Sequence, residues 1–185
     1  MEGLAAPEGP ARAGPTAHAA AVLVAVAGGM LAAPAAVIEE VRAGAGLLLP
    51  FIAAPVVEET LKPAGLYLLL IRWPGLVRGR LHAALLAAVA GLTFGLIESA
   101  AFVTIAADEP TRTFVIYRFS LPLVLHATAS FIAGTGIGPG LIAWARTGTR
   151  LPRAAVWGFG AAIALHALYN TVAVALERSG VTDFR

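Results

Sequence analysis

Glu58, Glu59 and Lys62, then Glu98, then His126, then His166 with Asn170 stand inside otherwise apolar stretches of this 185-residue chain. An ionised carboxylate at the centre of a bilayer costs about 2.5 to 3.5 kcal/mol on insertion scales, so such groups persist where they face one another, water or a ligand. Their types allow specific chemistry. A buried carboxylate can act as general base, an imidazole can hold a proton or a metal, and an amide beside an imidazole can donate to an oxyanion. Glu58 and Glu59 are adjacent and on a helix point about 100° apart, so one can serve a reaction while the other braces the fold. Lys62 follows them by four and three residues, the helical spacings for ion pairing, and reads first as a salt bridge that neutralises a buried charge. His166 and Asn170 lie one turn apart on one face; they are either oxyanion donors or a helix-to-helix hydrogen bond. Glu98, His126 and His166 together offer one carboxylate and two imidazoles, the ligand types of catalytic zinc. There is no H-E-x-x-H, so spacing alone does not fix a metal site. Taken singly, Glu98 would be a protonated acid and His126 a satisfied packing residue; the set carries the inference.

The elements that must position these groups read as membrane helices. The chain is 58% apolar and 13% charged, with a mean hydropathy of +0.81, against about 25% charged residues in soluble domains. The expected fold is all-α: a polytopic bundle of about five transmembrane helices, at residues 18–38, 45–71, 82–107, 114–145 and 152–176. A disordered tail is expected at 1–17, one membrane domain over 18–176 and a short tail at 177–185. Gly134, Gly136, Gly138, Pro139 and Gly140 should break or bend the over-long fourth span. Gly91 and Gly95 have the spacing that lets helix backbones approach closely. Counted from the outer end of each span, Glu58 lies about 13 residues in, Glu98 about 9, His126 about 12 and His166 about 10; at about 1.5 Å per residue these heights agree to about 6 Å. One polar layer across four segments is the expectation.

Arg72, Arg78 and Arg80 after the second span, and Arg146, Arg150 and Arg153 after the fourth, place both loops and the N-terminus in the cytoplasm by the positive-inside rule. Arg42, Arg112 and Arg118 oppose that assignment. The first apolar run has a secretory-signal alternative, because Ala33-Pro34-Ala35 fits a cleavage site. The chain has no cysteine, which removes disulfides, thiolate catalysis and thiolate metal sites. The +2 net charge comes from loop arginines, so no nucleic-acid partner is expected; the expected surroundings are a lipid bilayer.

In order, Glu58-Glu59-x-x-Lys62, Phe94-x-x-x-Glu98, His126 before a glycine-rich stretch, and His166-x-x-x-Asn170 resemble the PrsW family of intramembrane proteases, a relative of the CPBP group that includes CAAX prenyl endopeptidases. The resemblance spans residues 45–176. Lys62 and Glu98 stand where the prenyl proteases have Arg and His, which favours the PrsW branch. The resemblance implies a membrane peptide hydrolase at the plasma (inner) membrane, with Glu58 as general base, Glu59 as a supporting acid or second catalytic carboxylate, and His166 with Asn170 as oxyanion donors. It implies that His126 and Glu98 position the water or complete a metal site, with zinc as the candidate ion or a glutamate-only route beside it. The implied substrate is a membrane protein or peptide, of which a single-span anti-sigma factor is one type. Rival readings are a proton- or ion-coupled transporter using a Glu/His relay, a b-type haem held by His126 and His166, and a purely structural membrane subunit.

Overall fold

A computed structural model describes residues 14–43, 49–106 and 109–180, and among these no strand occurs. The long helices are α1 (Pro15–Ala43), α4 (Arg80–Ala101), α6 (Leu121–Gly136) and α8 (Arg153–Arg178). The shorter ones are α2 (Ala54–Leu61), α3 (Ala64–Arg72), α5 (Arg112–Arg118) and α7 (Pro139–Thr147). Four segments are long and apolar enough to cross a membrane: Pro15–Ala36, Arg80–Thr104, Arg112–Gly136 and Arg153–Arg178. The surface is correspondingly apolar: Leu23, Leu31, Leu81, Val124, Trp157 and Leu168 are exposed, while Glu58, Glu59, Lys62, His126 and His166 are buried. That inversion of the soluble pattern is what a bilayer solvent selects.

The expected second span is not one continuous helix. It runs as a π-helical turn at Leu49–Ala53, then α2, then α3. Pro63 has no N–H to give the Glu59 carbonyl and its ring crowds the preceding turn, so α2 ends and α3 begins around it. The Tyr67 hydroxyl donates to the Thr60 carbonyl across the break at 3.0 Å, satisfying backbone that the missing turn leaves open. Lys62 stands at the C-cap of α2, one residue before the break. The fourth span is also interrupted. It is α5 and α6, with a break at Ile137–Gly138 before α7, within the glycine-rich stretch where a break was expected. Of the expected tails, residues 1–13 and 181–185 lie outside the described residues, and α1 already begins at Pro15. Ala33-Pro34-Ala35 lies within α1, where Ala32, Ala33 and Ala36 pack with Phe94 of α4.

The crossing that positions His126 joins α4 to α6. Gly134 lets α6 approach the Ala84 backbone, while Gly91 faces the His126 carbonyl and Ser130. A methyl group at Gly95 would stand 2.6 Å from His126 Cδ2. These two α4 glycines therefore make the space into which the His126 ring and its backbone fit. Replacing Gly91 by Ala forces a carbon into the His126 carbonyl and the Ser130 side chain, and should cost about 1 to 3 kcal/mol by overpacking. Gly75, whose added methyl would meet nothing within 4 Å, is the control. Thermal unfolding in detergent should show Gly91→Ala melting earlier and Gly75→Ala unchanged; coincident melts would mean that the two helices do not touch there.

Candidate active site

Four segments deliver their polar groups to one place. From α2, Glu58 Oε2 and Glu59 Oε1 flank the Lys62 ammonium at 2.9 and 2.6 Å. From α6, His126 Nδ1 accepts from Lys62 at 2.8 Å, while its Nε2 lies 3.0 Å from Glu98 Oε2 of α4. From α8, His166 Nδ1 lies 2.8 Å from Glu59 Oε1. Phe94 covers one side, with the ammonium 4.6 Å from its ring centre. The ion pair expected of Lys62 is present with both carboxylates, and the depth agreement expected of the four segments corresponds to direct contact.

The hydrogen bonds set the tautomers. A neutral imidazole has one N–H and one lone pair. Glu98 takes the N–H of His126 at Nε2, which leaves Nδ1 as acceptor, and Lys62 donates to that atom. Glu59 takes the N–H of His166 at Nδ1, which leaves Nε2 as acceptor. Both remaining lone-pair nitrogens stand near one atom: Glu58 Oε2 is 3.9 Å from His126 Nδ1 and 3.8 Å from His166 Nε2. The two rings meet edge to face at 5.3 Å between centres. Carboxylates that hold the outer nitrogen of an imidazole are the usual supports of metal-binding histidines, because they fix ring orientation and raise ligand basicity.

Among the described residues, the group whose ligand atoms come within 4.8 Å of one another is Glu58, His126 and His166, all buried. This differs from the expected ligand set of Glu98, His126 and His166. Glu98 instead sits behind His126 and receives Arg118 Nη2 at 2.9 Å. Ligands of a tetrahedral ion with bonds of about 2.0 to 2.1 Å stand roughly 3.3 Å apart, so the separations of 3.8 and 3.9 Å from Glu58, within a group spread over at most 4.8 Å, must contract for all three to ligate. Two further observations fit a cation. Glu58 Oε2 is buried without a hydrogen-bond donor in good geometry, although the Lys62 ammonium lies beside it. In addition, three carboxylates, Glu58, Glu59 and Glu98, meet two cationic side chains, Lys62 and Arg118, leaving negative charge in surroundings that penalise it.

Asn170 is placed differently from expectation. Its amide donates to the Pro50 carbonyl at 2.8 Å, so it secures the π-helical turn ahead of α2 to α8 rather than pairing with His166 around one oxyanion. Arg118 is the neighbour of the cluster that the sequence pattern did not reveal. It lies at the end of α5, stacks on Phe102 with its guanidinium carbon 3.9 Å from the ring centre, and has its carbonyl held by the buried Ser99 hydroxyl at 2.7 Å. The available signal was the lone Glu98, a membrane acid that needed a cation. The Tyr117 and Tyr169 hydroxyls bond beside it, joining α5 to α8.

Glu59 holds both Lys62 and His166 and is itself wholly buried. Glu59→Leu should therefore destabilise the fold by about 3 to 5 kcal/mol, the range for stranding one partner of a buried pair. Glu59→Leu/Lys62→Met removes both charges and should recover part of that loss in a detergent unfolding series. A double variant no better than the single would show that Lys62 does not depend on Glu59.

A family model described as the PrsW family of intramembrane metalloproteases matches residues 13–183. Comparisons with curated proteins and with solved structures gave no match. The match takes in every helix described above and all the residues of the buried cluster, and the chain belongs to the PrsW family of intramembrane metalloproteases.

Proposed function

We propose that the buried cluster hydrolyses peptide bonds of membrane protein substrates, with Glu58, His126 and His166 as the residues that hold a divalent cation such as zinc. The observation that carries this reading is the convergence of Glu58 Oε2, His126 Nδ1 and His166 Nε2 on one buried spot from α2, α6 and α8. When bound, such an ion acidifies water and polarises the scissile carbonyl. The protein's own part is orientation and proton handling. Glu98 and Glu59 keep His126 and His166 in the tautomers that offer Nδ1 and Nε2 inward. With Glu58 in the cradle, Glu59 is the carboxylate that takes up the proton. Its Oε1 is engaged by Lys62 and His166, while its Oε2 has a 3.5 Å contact with the Ser130 hydroxyl. Closure of the apolar helices around the cluster limits bulk water and strengthens each of these interactions.

One observation favours a second route, in which Glu58 itself is the base and no metal takes part: the Lys62 ammonium, 2.9 Å from Glu58 Oε2, already supplies positive charge there. A proton-coupled transporter using the same residues is not favoured once the family is known. His126 and His166 are too close, edge to face, to hold a porphyrin between them. We further propose a plasma-membrane location with the N-terminus cytoplasmic. His18 and His82 lie together at the end where Arg78 and Arg80 emerge, so α1 enters from the arginine-rich side. A single-span protein such as an anti-sigma factor is the proposed substrate type.

Cleavage of a single-span substrate by purified enzyme in liposomes is the test. Glu58→Gln, His126→Ala and His166→Ala should each lower the rate at least about 100-fold, the scale of a lost acid–base or electrostatic group, while the unfolding profile stays cooperative. A strong chelator should inactivate the wild type and added zinc restore it. Chelator-resistant cleavage that still needs Glu58 would select the metal-free route; full activity of Glu58→Gln would end the hydrolase reading.

A further inference from the structure

Lys62 is the chain's only lysine, and its ammonium stands where a bound cation would. Nζ lies 2.9 Å from Glu58 Oε2 and 2.8 Å from His126 Nδ1, two of the three donor atoms of the cradle. It also lies 2.6 Å from Glu59 Oε1, the atom that orients the third donor, His166. The side chain is wholly buried and packed over Phe94, so solvent does not share these contacts. The lone pair on His126 Nδ1 can accept from an ammonium or ligate a metal, but not both at once. Two cations at this separation would also repel strongly in a medium of low dielectric.

We propose that Lys62 is a tethered cation that fills the cradle in the metal-free protein and must leave His126 and Glu58 for a divalent ion to enter. The inference rests on the metal reading above and assigns Lys62 a positioning and competing role rather than a catalytic one. In the absence of metal, the ammonium lets Glu58 and Glu59 sit side by side in an apolar interior, so the bundle assembles before it is loaded. When an ion enters, Glu59 remains as a partner at the i, i+3 spacing, holding the displaced ammonium at the edge of the site. The built-in competitor lowers metal affinity and makes loading reversible. Its position at the C-cap of α2, directly before the Pro63 break, places it where the helix ends rather than in the middle of a rigid turn.

The test measures zinc affinity of the purified full chain in detergent by competition with a chromophoric chelator, together with melting in EDTA. Lys62→Gln and Lys62→Met should each bind zinc at least about 10-fold more tightly than the wild type, because the competing charge is gone. Both should melt earlier than the wild type in EDTA and regain stability with zinc, and variants that fold only when zinc is supplied support the same conclusion. Lys62→Arg, which keeps a cation, should bind zinc no more tightly than the wild type. Affinity unchanged or weakened in the Gln and Met variants overturns the proposal while leaving the metal reading intact; no zinc binding by any form removes the metal reading and the proposal with it. The wild type supplies an independent readout, since lysine-selective isotope labelling yields a single side-chain signal. Zinc should move that signal, and a signal that zinc at saturation leaves in place overturns the displacement.

Discussion

The structure depends on a charge problem solved inside an apolar bundle. Glu58, Glu59 and Glu98 come within reach of Lys62, Arg118 and two imidazoles, and each contact satisfies a group that lipid would otherwise leave stranded. Because removing one partner exposes the rest, the cluster also fastens together α2, α4, α6 and α8. The small residues of α4 and α6 then follow as a requirement, since His126 can meet Glu98 and Lys62 only if the two backbones pass closely at Gly91 and Gly95. Chemistry and packing are here one constraint.

The same constraint explains where the helices fail. The interruption at Pro63 sits beside Lys62, and the π-helical turn at Leu49–Ala53 sits below it with its Pro50 carbonyl held by Asn170. Irregular backbone at membrane depth is tolerated where protein or a polar cavity satisfies it, and both irregularities here border the cluster. Within α2 the adjacent carboxylates point about 100° apart and so reach different partners: Glu58 lies near the inner nitrogens of both histidines, and Glu59 holds the outer nitrogen of His166.

Much of this was legible in the amino-acid order, and the remainder was not for identifiable reasons. Hydropathy and length disclose the membrane helices, the i, i+3 and i, i+4 spacing discloses the Lys62 ion pairs, and the shared depth of acids and imidazoles discloses that they meet. Helix rotation about its own axis is not encoded in depth, which is why Glu98 and Glu58 exchange places between the expected ligand set and the observed group. Pro63 was visible, yet hydropathy runs through it and suggests one span where there are two half-helices. The Asn170 amide one turn from His166 points to a shared target only if nearby carbonyls are all satisfied, and the unwound turn at Pro50 removes that condition. Arg118 reads from sequence as a loop charge that argues against the topology, whereas its three-dimensional role is to balance Glu98.

The proposed function turns on Glu58, His126 and His166 forming a metal-dependent hydrolytic centre within the bundle. X-ray absorption at the zinc edge of the loaded protein tests it most directly, because imidazole rings give a distinctive multiple-scattering pattern and the chain has no cysteine to confuse the first shell. Two imidazole nitrogens with oxygen ligands are expected, with loss of one imidazole contribution in His166→Ala. A shell of oxygen atoms alone, unaltered in His166→Ala, would contradict it.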